Sequence, residues 1–340
     1  RGLGDVYKRQ VSNDGTTKYL FCLEDRSKIE TVFIPEEKRS TLCISSQVGC
    51  TLNCSFCHTG TQKLVRNLSA QEIVGQVIAV YDDLGLWEKK RMNGSHSSCF
   101  EVITNIVFMG MGEPLLNYEE VKKACSILMD NKGLDFSRRR ITLSTDGIVP
   151  KIKTAHEEIG CMIAVSLHAT ENKTRDILVP INKKWNLEQL LDSLRDDVKL
   201  RNSERVTFEY VMLDGVNDTK EDAHRLVRLL QGLPSKINLI PFNTWTGSQY
   251  KRSSQDRIKA FRDIVINNTQ NIFLKSFNDI QQKCKSKVTR SNFITVFPKY
   301  LIEAFTLLMI VIIGKENHLN LERASIKMLE QNLIKPKAKI

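Results

Sequence analysis

Between residues 41 and 266 the chain alternates short apolar, β-branched runs with longer segments of helical period, and no other feature constrains its fold as much. Strand-like runs fall at 41–47, 102–109, 140–144, 162–167, 206–213 and 237–240. Helical periods lie between and after them, at 69–84, 118–131, 149–158, 187–200, 220–231 and 255–266. The first helix opens on Ser69-Ala70-Gln71-Glu72, a capping box in which serine and glutamate satisfy each other's backbone N–H groups. A strand, a crossing helix and a further strand pair in parallel with a right-handed connection. Six such units predict an α/β fold, a partial (β/α)6 barrel rather than a sandwich. Ligand groups should then collect at the C-terminal strand ends.

The flanks differ from this core. Residues 17–23 and 28–34 read as two short strands around the turn-prone Asp25-Arg26-Ser27, predicting a small N-terminal β appendage. The first residue is Arg1 and residues 1–10 hold no apolar run, so the chain is expected to begin inside a longer protein. The expected division is 1–38 as the remnant of an N-terminal accessory region, 39–284 as the core domain and 285–340 as a divergent C-terminal extension. Residues 89–98, with Asn93-Gly94-Ser95, read as an insertion loop. Residues 300–314 are strongly apolar, yet carry Glu303 and fall short of the ~20 residues of a membrane span; they are expected to form a core or misplaced C-terminal helix with no membrane partner, a membrane anchor being the lesser alternative.

With 340 residues, 41% of them hydrophobic, the chain can bury a full core and is not of the disordered class. Lys+Arg 50 against Asp+Glu 39 leaves a charge of +11, which suits a polyanion such as RNA. Arg66 and the run Arg138-Arg139-Arg140 are the candidate phosphate contacts, the alternative for the run being a solvated turn. Nine cysteines, an odd number without a secretory signal, argue against a disulfide scaffold and for a reducing cytoplasm. Thiols there are available for metal or catalysis.

Cys50, Cys54 and Cys57 place three thiols within eight residues of a loop between a strand and a helix. A zinc site would need a fourth ligand, for which His58 is the neighbour. Three thiolates fit an iron–sulfur cubane better, because a fourth iron then stays open to substrate.

The octet CTLNCSFC, with Phe56 before the third cysteine, resembles the radical-SAM signature. The wider stretch from IETVFIPEEKRSTLCISSQVGCTLNCSFCHTGTQKLVRNL through GMGEPLLN, LSTDGIVP, SLHAT and INLIPFN is similar to the RlmN-type adenine C2 methyltransferases, over residues 19–261. That resemblance implies a radical-SAM barrel, a [4Fe-4S] cluster on the three cysteines, and S-adenosylmethionine (SAM) on its open iron. It further implies that Gly112 and Glu113 meet the SAM amino group, and that Ser144, Ser166, Leu167, His168 and Asn243 hold the rest of SAM. Glu30 would be the general base, and Cys43 the thiol that resolves a covalent protein–RNA intermediate, a disulfide forming as it does so. The methyl-carrying cysteine is matched by Cys284 in LKSFNDIQQKCKSK, where Asp279 and Ile280 keep the family register but the flanking Arg-Gly and Gly-Gln are absent. The implied partners are 23S rRNA, tRNA and an electron donor such as flavodoxin, for a cytoplasmic monomer. Methylation at adenine C8 by the same parts, a zinc-stabilised RNA-binding module and an inactive remnant are the alternatives.

Overall fold

A computed structural model describes residues 6–36, 39–87, 103–201, 204–268 and 272–275. Strands β1 (Val6–Val11), β2 (Thr17–Cys22) and β3 (Lys28–Glu36) form an antiparallel meander. β3 continues antiparallel onto β4 (Arg39–Cys43), with Val32 opposite Cys43. A two-residue ladder of β5 (Gln47–Val48) and β6 (Arg66–Asn67) then closes a long loop before helix α1 (Ala70–Asp83). From there the chain alternates through β7 (Asn105–Phe108), α2 (Tyr118–Met129), β8 (Ile141–Thr145), α3 (Val149–Thr154), β9 (Met162–Ser166), α4 (Asn172–Leu178) and α5 (Leu187–Asp196). It ends with β10 (Val206–Met212), α6 (Lys220–Leu229), β11 (Ser235–Pro241), α7 (Gln255–Asn267) and β12 (Ile272–Lys275).

The main sheet runs β1-β2-β3-β4-β7-β8-β9-β10-β11-β12, and every pairing from β4 onward is parallel. Each crossover advances by one neighbour in one direction, which curls the sheet into an open barrel with its strand C-termini at one mouth. β4 is buried on both faces after its first residue, as a strand covered by helices outside and a filled lumen inside must be. The helices lay apolar stripes on the sheet: Ile73, Val77 and Val80 from α1, and Leu187, Leu190, Leu191 and Leu194 from α5, all buried. Each such side chain contributes about 1.5–3 kcal/mol by leaving water.

The expected alternation is present, with corrections at its edges. The strand expected at 140–144 begins one residue later, because Arg138–Arg140 form a 3-10 turn closed by the Arg140 N–H on the Ser137 carbonyl (2.7 Å). The helix expected over 149–158 is α-helical only to Thr154 and continues as a π-helical turn, Ala155–Ile159, ended by Gly160 at φ +72°. The helix from 187 stops at Asp196, and the strand from 41 stops at Cys43. β1, β5, β6, β12 and α4 were not expected; they are short or polar, and pairing partners rather than hydrophobic period hold them. The expected loop at 89–98, the apolar run at 300–314, Cys284 and the extension at 285–340 lie outside the described residues. Among the described residues no helix is long and apolar enough to cross a membrane.

Candidate active site at the mouth of the barrel

The loop after β4 is held at both ends. Gln76 of α1, fully buried, accepts from the Ser45 N–H (2.8 Å) and donates to the Ser45 carbonyl (2.9 Å). The Ser45 hydroxyl donates to the Glu30 carbonyl (2.6 Å) and accepts from the Met111 N–H (2.9 Å), tying β3, the loop and the segment after β7 together. Gly49 sits at φ +80°, where an added Cβ would lie 2.2 Å from the Lys63 carbonyl oxygen, so only glycine lets the two arms of the loop touch. The Cys50 N–H donates to the Gln62 carbonyl (3.2 Å) across the same gap.

This loop brings Cys50, Cys54 and Cys57 to one cavity of about 140 Å³ at the strand C-termini. Gly112, Glu113, Ser144, Ser166 and His168 line the same cavity, together with Asp146 and Glu209. Of the residues expected to bind SAM, Leu167 and Asn243 do not line it. Leu167 buries its side chain in the core while its N–H donates to the Glu209 carbonyl (3.0 Å), and Asn243 lies half-buried beyond the end of β11. Glu30 and Cys43 also lie outside the lining, on the neighbouring strands β3 and β4.

Burial raises all three thiols, Cys50 to about 12, and the Asp146 charge raises them further. Cys54 donates its S–H to Asp146 Oδ2 at 2.8 Å. Thiols so protonated become ligands only when iron displaces the proton. Among the described residues no three His, Cys, Asp or Glu side chains converge on a single ion point. An iron–sulfur cubane asks for a different arrangement, in which each thiolate reaches its own iron and the ligands ring a cavity. The three cysteines around this cavity fit that arrangement. His58, the alternative fourth zinc ligand, is not part of the lining; its ring stands edge-on to Trp245 at 5.3 Å.

Glu113 is 2% exposed, and only neutral donors hold it among the described residues: its carboxylate accepts from the N–H of Leu115 (3.0 Å) and of Asp146 (2.8 Å) and from the Thr145 side chain. Burial, then the neighbouring Asp146, pushes it up to about 8. Gly112 precedes it at φ +93°, and a Cβ there would strike the Gln47 side chain at 2.4 Å. Gln47 in turn accepts from the Glu113 N–H (2.8 Å), so the glycine lets β5 fix the carboxylate. His168 follows β9 at φ +56°, an uncommon conformation for a side-chain-bearing residue. Its Nδ1 accepts from the Val211 N–H (3.1 Å), and burial, helped by the Arg175 charge, lowers it to about 3, so the ring is neutral. Phe56 packs edge-on against it at 4.6 Å.

Arg175 was missed in the sequence, where it reads as one more solvated charge of a polar segment. It is 0% exposed and donates to the carbonyls of Ser166 (2.9 Å), Leu167 (3.0 Å) and Asp146 (2.7 Å) and to Asn182 Oδ1 (3.0 Å). One guanidinium thus clamps the ends of two strands, a task that suits its planar fork. Asp146 and Glu209 were also missed. Asp146 lies two residues beyond Ser144 in the LSTDG element, and Glu209 shares the lumen face of its strand with Thr207 and Val211, a parity that the alternation alone could have exposed.

Behind the cavity Cys43 is buried, and burial first, then the charges of Glu209 and Glu30, pushes it up to about 12. Glu30 lies 2.8 Å from Lys18 Nζ; burial raises it and Lys18 offsets part of that. Cys43 is a free thiol.

Of the candidate phosphate contacts, Arg66 and Arg138 already have acidic partners. Arg66 pairs with Asp25 (2.7 Å) and Glu72 (2.8 Å), the latter through the capping box of α1. Arg138 pairs with Glu204 (2.8 Å), and the whole arginine run precedes β8, at the barrel end opposite the mouth.

The sequence profile of the Radical SAM superfamily matches residues 99–230. The chain is 62% identical over 263 residues to the dual-specificity RNA methyltransferase RlmN of Cereibacter sphaeroides (strain ATCC 17029), covering 77% of this chain and 66% of the relative. Its counterpart in Paracoccus denitrificans is 61% identical over the same shares. The chain therefore spans 66% of the length of the curated relatives it matches. Among solved structures, a radical SAM methyltransferase from Sphaerobacter thermophilus superposes with a TM-score of 0.73 at 38% identity, over 83% of this chain and 79% of that one.

Proposed function

The chain belongs to the radical SAM superfamily, among the RlmN-type methyltransferases, and from that premise we propose that it methylates C2 of adenosine in RNA. The observation that carries the proposal is the mouth cavity, where three thiols of one loop face a buried carboxylate held by neutral donors rather than by a cation. The cofactors are a [4Fe-4S] cluster and SAM, and when bound they supply the one-electron chemistry that makes a carbon radical.

C2 of adenine lies between two ring nitrogens and is electron-poor, so it cannot attack a methylsulfonium directly. A carrier thiol can. In this proposal the Cys284 thiolate takes the methyl group. Once that carbon is bonded to C2, the Cys43 thiolate would attack the carrier sulfur, the S–S bond forming as the C–S bond breaks. The freed carbon would take a proton to become the methyl group of the product. Cys50, Cys54 and Cys57 hold the cluster. Glu113 receives the SAM ammonium, which restores the ionised carboxylate that burial disfavours. Ser144, Ser166, the backbone of Leu167, neutral His168 and Asn243 orient the nucleoside of SAM. Glu30 accepts the proton from C2. The substrates are 23S rRNA and tRNA, electrons come from a flavodoxin-like donor, and the protein acts as a cytoplasmic monomer.

Anaerobic reconstitution with iron and sulfide, followed by reductive SAM cleavage and mass spectrometry of digested RNA, tests this. About four irons per chain, SAM cleavage and 2-methyladenosine are expected. Stoichiometric zinc without iron would end the proposal, and 8-methyladenosine would move the reaction to the other carbon.

A further inference from the structure

Three segments meet at Ser55, inside the cysteine loop. Its N–H donates to the Leu178 carbonyl at the end of α4 (3.1 Å), and its hydroxyl lies 2.7 Å from that of Tyr250, in the segment after β11. From that segment Trp245 also donates its indole N–H to the Phe56 carbonyl (3.1 Å). The rim of the mouth therefore consists of the cysteine loop, the 3-10 turn Pro180–Lys183 after α4, and residues 243–252.

Four exposed lysines stand on this rim. Lys63, Lys183, Lys184 and Lys251 are exposed, and among the described residues none of them forms an ion pair. Arg66, Arg138 and Arg257 have acidic partners, while Lys132, Arg139 and Lys259 elsewhere on the surface form no ion pair among the described residues, so what distinguishes the rim lysines is their position around the cavity. Of the acids next to the rim, Asp214 pairs with Arg257 (3.2 Å), and Asp176 accepts from Asn182 Nδ2 (2.6 Å), a neutral donor that leaves its charge in place. Lys184 rests over the Trp185 ring, 4.5 Å from its centroid, which fixes the direction of its ammonium group. Uncompensated, exposed lysines on three segments around one cavity form a local positive field aimed at whatever enters the mouth.

We infer that this rim docks the RNA backbone, with Lys63, Lys183, Lys184 and Lys251 meeting phosphates of an unpaired segment whose target base enters the cavity. The inference rests on RNA being the substrate. An unpaired segment is required because a base stacked in a helix cannot reach a cavity walled by strand ends. Lysines suit the task, since phosphate contacts position the chain and carry no sequence information.

The test is a salt titration of binding between the full chain and a short single-stranded RNA. Lys184→Gln/Lys251→Gln should bind about tenfold more weakly at low salt, and its log–log salt slope should fall by about 1.4, two contacts at ~0.7 each. Arg139→Gln, at the opposite barrel end, should match wild type in both respects, and SAM cleavage without RNA should be unchanged in all three proteins. A double variant with wild-type affinity and slope, while wild type binds RNA, overturns the rim. A wild-type chain that binds no RNA at all overturns the substrate on which the inference rests.

Discussion

Two regions of the barrel bury a carboxylate, and they treat its charge in opposite ways. On the hairpin side Glu30 and Lys18 form an ion pair at 2.8 Å, with side chains 15% and 8% exposed. At the mouth Glu113 meets only neutral donors among the described residues, two backbone N–H groups and the Thr145 side chain, and its neighbours in the cavity are Asp146, Glu209 and three thiols. Arg175, the buried cation of the mouth, gives its donors to carbonyls and one amide rather than to a carboxylate. The hairpin side is therefore electrostatically closed, whereas the mouth has negative charge for which a cation must come from outside. SAM, with an ammonium and a sulfonium, is such a cation.

That contrast can be broken experimentally, and the largest effect is expected at Arg175. Arg175→Met orphans three buried carbonyls and should cost about 4 kcal/mol in urea unfolding, with Arg175→Lys recovering little of it because an ammonium cannot fork. A loss under ~1 kcal/mol would mean that the clamp is decorative.

Next comes the closed pair. Lys18→Met leaves Glu30 buried and unpaired, and should destabilise by roughly 3 kcal/mol at neutral pH. Burial then raises Glu30 further, so the native state holds a proton that the unfolded chain has released, and the deficit should shrink as pH falls toward the ordinary carboxyl range. Adding Glu30→Gln should restore most of the stability. If it restores none, the pair is not the reason for the loss.

Glu113 should show the same direction of pH dependence without any substitution. Its folded-state value of about 8 lies above that of an unfolded glutamate, so between pH ~4.5 and 8 the native chain binds more protons and loses stability as pH rises. Relative to wild type, Glu113→Gln should gain stability steadily across that window without SAM, whatever constant offset the amide brings. The same variant should bind SAM at least about tenfold more weakly. A flat difference across the window would show that the mouth is compensated internally after all.

The smallest effect is expected at Arg66, 34% exposed in its side chain and paired with surface acids. Arg66→Ala should cost about 0.5–1 kcal/mol and leave the salt dependence of RNA binding unchanged. A reduced salt slope would return Arg66 to the RNA interface.

Much of this was legible in the chain. The Ser69–Glu72 capping box forms as written, because both partners lie within one helical turn. The alternation of strand and helix became an open parallel sheet because hydrophobic period and chain direction are local properties, and right-handed crossovers leave few topologies. The α4 segment escaped notice because Asn172-Lys173-Thr174-Arg175-Asp176 is polar, and its buried residues, Arg175 and Leu178, give too weak a period. β1 escaped because an edge strand paired on β2 needs hydrogen-bond partners more than apolar residues.

By itself the sequence determined the order of elements, the cysteine spacing that puts three thiols on one loop, and the strand ends where Glu113, Ser144, Ser166 and His168 must fall. Each follows from interactions within a few residues or from the period of a single element. Only the tertiary structure decided which charges are compensated. It paired Arg66 with Asp25 across 41 residues, set Arg175 against the ends of two strands, joined Lys18 to Glu30 across the hairpin, and left the rim lysines unpaired. The reason is physical: a side chain's charge can be read from its type, but its cost and use depend on burial and on partners distant in sequence, which exist only once the sheet has curled.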